Sequence, residues 1–70
     1  MKNYTLNEIN GMSQGQIILV NAEDAIEAMK KADMVCWVRE YEKFNTFYSG
    51  KIYEIYETGK PNNVEYICHR

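Results

Sequence analysis

Apolar residues recur along this chain with two periods, and the periods divide it between helix and strand. Residues 22–32 place Ala22, Ala25, Ile26, Met29 and Ala32 at helical spacing. Asn21 precedes them as a good N-cap, with Asp24 three residues on. Glu23, Asp24 and Glu27 lie early and Lys30 and Lys31 late, which complements the helix dipole. Glu27 and Lys31 are spaced to pair across one turn. This pattern predicts the main helix, over 22–32. The run Gln16 to Val20 is apolar and β-branched, and reads as a buried strand. Met34 to Tyr41 reads as a second strand. Val64 to His69 reads as the last, with Val64, Tyr66 and Cys68 on one face and Glu65, Ile67 and His69 on the other. Thr58-Gly59-Lys60-Pro61-Asn62-Asn63 is a loop by its turn-forming residues.

Two segments are less direct. Lys51 to Glu57, KIYEIYE, repeats Ile-Tyr-Glu with a period of three. A helix between Gly50 and Gly59 would have only about two turns, which is marginal, and tyrosine and isoleucine favour strands. It is therefore read as a strand, with Tyr53 and Ile55 on one face and Ile52, Glu54 and Tyr56 on the other. Thr46 to Tyr48 would be its hairpin partner, turning at Ser49-Gly50. Near the start, Thr5 and Glu8 have capping-box spacing, and Tyr4 and Ile9 occupy the positions of a hydrophobic staple. They predict a short helix over 5–10; an N-terminal strand is the alternative.

The expected fold is α+β in two layers, a mixed four- to five-stranded sheet packed on one main helix, residues 1–70 forming a single domain. Eleven helical residues rise about 16 Å, returning the chain to its starting end, so the strands flanking the helix are expected to pair in parallel. Four strands span about 15–20 Å and one helix covers about 10 Å. A single roof shelters one face only. Seven of the nine aromatics lie between residues 37 and 57. The uncovered face should therefore carry some of Trp37, Tyr41, Phe44, Phe47, Ile52 and Tyr56, the candidate partner-binding residues. A blander reading leaves the tyrosine rings flat on the sheet, doing only cross-strand packing.

Charge and chemistry narrow the function classes. The net charge is −2, and neither half of the chain has the block of basic residues that gathers phosphates. Cys36, Cys68 and His69 are the soft ligands, too few for a structural zinc site, and adjacent strand residues Cys68 and His69 diverge. Two cysteines make no disulfide framework, so buried free thiols are expected in a cytoplasmic protein. No nucleophile, phosphate-loop or metalloprotease motif occurs, and Glu40 with Glu42 reads as a solvated edge. Neither enzyme activity, cofactor nor metal is expected. The longest apolar run, Ile17 to Val20, is too short to span a bilayer. The expected function is a small protein-binding module, with a homodimer among the expected partners. Heavy use of Ile, Lys, Asn and Tyr, with A/T-rich codons, fits a low-GC bacterium or a phage or plasmid living in one, and for so small a chain the expectation is a phage or mobile-element accessory protein that inhibits a host enzyme such as a CRISPR effector. One alternative is single-stranded nucleic acid stacked on the sheet aromatics beside Arg39, Lys43 and Lys51. Another is a structural, self-associating domain.

Overall fold

The computed structural model describes residues 1–10, 15–40 and 50–70. They form β1 (Lys2–Glu8), β2 (Ile17–Ala22), α1 (Ala25–Lys31), β3 (Cys36–Val38), β4 (Ile52–Glu57) and β5 (Tyr66–His69). The architecture is α+β: a five-stranded sheet in the order β2-β1-β4-β5-β3, with one short helix against it. Every neighbouring pair is antiparallel, so the sheet is not mixed.

The expected helix over 5–10 is a strand, because Tyr4 and Leu6 are two residues apart. A helix would aim them almost oppositely, whereas a strand sets both on one face. As β1 they are buried beside Ile55 and Val20, and that burial outweighs a capping box on a single turn. The chain then doubles back to β2, with the Glu8 N–H donating to the Gln16 carbonyl at 2.9 Å. Gly15 lies so close to β1 that a Cβ there would stand 2.6 Å from the Glu8 carbonyl oxygen.

The helix is shorter than 22–32. Asn21 and Ala22 are drawn into β2, where the Asn21 amide donates to Asn3 Oδ1 at 2.7 Å. The N-cap is therefore Asp24, whose carboxylate accepts from the Glu27 N–H at 2.8 Å. Ala25, Ala28 and Met29 are buried, and the Glu27–Lys31 pair forms at 3.5 Å. At the other end the Asp33 N–H donates to the Lys30 carbonyl and the Met34 N–H to the Met29 carbonyl. These are the two bonds of a Schellman cap, and they hold Asp33 left-handed at φ 65°.

The helix does return the chain to its starting end: β2 and β3 point the same way, as strands four places apart in an antiparallel sheet must. They do not pair. β1, β4 and β5 lie between them, so α1 carries the chain from one edge of the sheet to the other.

KIYEIYE is the strand β4. Its Tyr53 and Ile55 are fully buried on the helix face, among Leu6, Met29 and Cys68, while Ile52, Glu54 and Tyr56 alternate to the far face. The Asn10 side chain extends the ladder past the end of β1: Oδ1 accepts from the Ile52 N–H at 2.9 Å and Nδ2 donates to the Gly50 carbonyl at 2.7 Å. The predicted Thr46–Tyr48 arm and its turn residue Ser49 lie outside the described residues. The loop after β4 turns at Gly59, with φ 94°.

Candidate functional site

Strand alternation sorts the described residues onto two faces. The helix face carries Tyr4, Leu6, Ile18, Val20, Tyr53, Ile55, Tyr66, Cys68 and Trp37, which with α1 make the core. The far face carries Asn3, Thr5 and Asn7 from β1, Ile17, Leu19 and Asn21 from β2, Ile52, Glu54 and Tyr56 from β4, Ile67 and His69 from β5, and Cys36 and Val38 from β3.

The six candidate contact residues do not come together as one patch. Tyr41, Phe44 and Phe47 lie outside the described residues. Trp37 belongs to the helix face, half-buried against the core and opposite Cys68. Ile52 is on the far face but only 5 % exposed. Tyr56 is half-buried on that face, beside Thr5 in the next strand.

The exposed apolar surface lies instead at the β2 end of the far face. Leu19 is 72 % exposed and Ile17 61 %, two residues apart and side by side. Leu19 stands opposite Thr5, which stands opposite Tyr56, so one row crosses three strands. Polar groups around this row are satisfied. Asn3 Oδ1 takes the Asn21 amide, the Thr5 and Thr58 hydroxyls meet at 2.8 Å, and Asn7 Nδ2 donates to Glu54 at 3.4 Å. An open hollow of about 240 Å³ sits here, lined by Asn3, Tyr4, Leu19, Val20 and Thr58. That is below the roughly 300–1,000 Å³ of small-molecule pockets.

β2 is the outermost strand, so one edge of it has no strand beside it among the described residues. The hydrogen bonds fix which of its groups point there. The Asn3 carbonyl accepts from Thr58 and the Ile9 N–H donates to Ile52, so odd-numbered residues of β1 bond toward β4. The Glu8–Gln16 bond shows even-numbered residues bonding toward β2. By the antiparallel alternation, Ile18 and Val20 spend their N–H and C=O groups on β1, and those of Ile17, Leu19 and Asn21 point outward. Lys31 Nζ donates to the Asn21 carbonyl at 2.9 Å.

The thiols lie on opposite faces. Cys36 is exposed on the far face, paired with His69 across the strands, and Cys68 is buried on the helix face. The expectation of two buried thiols therefore fails for Cys36, because β3 is itself an edge strand. Burial pushes the Cys68 thiol up to about 12 and also raises the Tyr53 and Tyr4 hydroxyls. Among the described residues no group of three His, Cys, Asp or Glu is placed to hold a metal ion, and no helix is long and apolar enough to cross a membrane. Arg39 stacks on Tyr66, its Cζ 4.9 Å from the ring centre. Comparison with protein families, curated proteins and solved structures finds no match to this chain.

Proposed function

We propose that this chain is a small protein-binding module whose contact surface is the β2–β1–β4 end of the far face. One observation carries this reading: Leu19 and Ile17 stand exposed together on the side of the sheet turned away from α1. Covering a leucine or isoleucine is worth about 1.5–3 kcal/mol, so the pair rewards a partner that seals it. The hollow beside Leu19 suits an inserted side chain better than a substrate. Tyr56 extends the surface inward, and the hydrogen-bonded Asn3, Asn21 and Thr58 form its polar rim.

Nucleic acid is the less favoured partner. Stacked bases need lysines or arginines beside the rings. The described strand residues of the far face include none, since Arg39 and Lys51 fall on the helix-side register and Arg39 is engaged with Tyr66. The finer proposal, an accessory protein of a phage or mobile element that inhibits a host enzyme, draws its support from residue usage alone. Affinity capture with the parent chain and Tyr56→Lys in parallel tests the contact surface. The expected result is a protein retained by the parent and lost with the substitution. Equal capture by both, or oligonucleotide binding at low salt that Tyr56→Ala weakens, overturns it.

A further inference from the structure

We infer that the β2 edge pairs with the β2 edge of a second copy of this chain, antiparallel about a two-fold axis at Ile18. This deepens the protein-contact reading on which it rests, by naming one partner. Three features select a second copy. Ile17 and Leu19 each turn both an N–H and a C=O outward, so in the two-fold arrangement Ile17 meets the partner copy's Leu19 and Leu19 meets its Ile17. Four ladder hydrogen bonds form, with every donor facing an acceptor. Residues 15–22, Gly-Gln-Ile-Ile-Leu-Val-Asn-Ala, carry no charge, so like meets like without repulsion, and the segment itself contains no lysine or proline to blunt its edge. Finally, Lys31 already occupies the next outward carbonyl, that of Asn21. That contact disfavours the register centred on Leu19, which sets Asn21 opposite Ile17 within the strand; centred on Ile18, Asn21 falls opposite Gly15, outside β2, and the four bonds do not need it.

Pairing in this register also covers the exposed side chains. Ile17 and Leu19 of both copies meet on the far face as a four-membered apolar cluster, and the half-buried Ile18 meets its own copy on the helix face. The two sheets become one of ten strands, with the two far faces continuous.

Sedimentation equilibrium over a wide concentration range, with residue-resolved amide exchange, tests the pairing. The mass is expected to rise from 8.2 kDa to twice that value. The amide protons of Ile17 and Leu19 are expected to exchange more slowly as concentration rises. Leu19→Pro removes an outward donor without touching the bonds to β1, and is expected to fold, by circular dichroism, and remain monomeric. If that variant does not fold, the amide exchange of the unsubstituted chain decides alone. A mass fixed at 8.2 kDa, growth beyond two copies, a folded Leu19→Pro that dimerises equally, or a dimer whose Ile17 and Leu19 amides exchange freely overturns the inference. A monomer that still captures another protein in a Tyr56-dependent way defeats this pairing and leaves the protein-contact reading standing.

Discussion

Leu6 and Leu19 sit on neighbouring strands, one residue out of register, and meet opposite surroundings. Leu6 is 0 % exposed and Leu19 72 %. Leu6 stands opposite Ile18 and Ile55 under α1, whereas Leu19 stands opposite Thr5 on the face α1 does not reach. Their chemistry is identical, so the contrast belongs to the sheet: one face is a core and the β2 end of the other is a surface. A leucine that contributes little to folding is free to contribute to binding.

Breaking the core member should have the largest effect. Leu6→Ala is expected to cost about 2–5 kcal/mol in urea denaturation, enough to unfold much of so small a domain. A cost below about 0.5 kcal/mol would erase the distinction between the faces.

The two thiols repeat the contrast and can be read by pH. A thiol with its folded value raised favours folding only while it stays neutral. The contribution of Cys68 is therefore whole below its ordinary value of 9.0 and is lost as pH rises from there through about 12. Stability is expected to fall by several kcal/mol across that window, with Tyr53 and Tyr4 adding in the same direction. Cys68→Ala should flatten the early part of the decline. At neutral pH an alkylating reagent should modify Cys36 in the folded chain and reach Cys68 only on unfolding.

Smaller effects come from the helix that makes one face a core. Asp24→Ala removes the cap on the Glu27 N–H and should cost about 1 kcal/mol. Asp33→Gly should do the opposite, gaining about 1 kcal/mol, because it relieves a left-handed aspartate at the negative end of the helix. Each change should move the thermal midpoint by about 4–8 °C, in opposite directions. The smallest effect is expected of Leu19→Ala, within about 0.5 kcal/mol for the monomer.

Much of this division can be read from residue order. The alternation in KIYEIYE assigns Tyr53 and Ile55 to one face and Tyr56 to the other, and residues 66–69 alternate as read. The helix announces itself through its buried alanines and its charge order. Its start is misplaced by reading Asn21 as the cap: Asp24 is an equally good capping residue, and the bond from Asn21 to Asn3 across the sheet draws Asn21 into β2. β1 was hidden because a local capping pattern competed with Tyr4 and Leu6, whose benefit comes only from strands elsewhere. The exposed pair was hidden for a related reason. An unbroken run such as Ile17 to Val20 reads as buried on both sides, and nothing within it says that its strand lies at an edge.

The seam between β1 and β4 has a kinetic consequence. β1–β2 and β4–β5 are each closed by a short connection, but the seam joins distant chain, as with Thr5 and Thr58, 53 positions apart. The molecule is thus two quickly made ribbons with a slow meeting between them, and β3 adds a second distant pairing where it joins β5, Cys36 opposite His69. Substitutions along the seam should govern how fast the chain refolds, and those at the outer strand how long-lived its associations are.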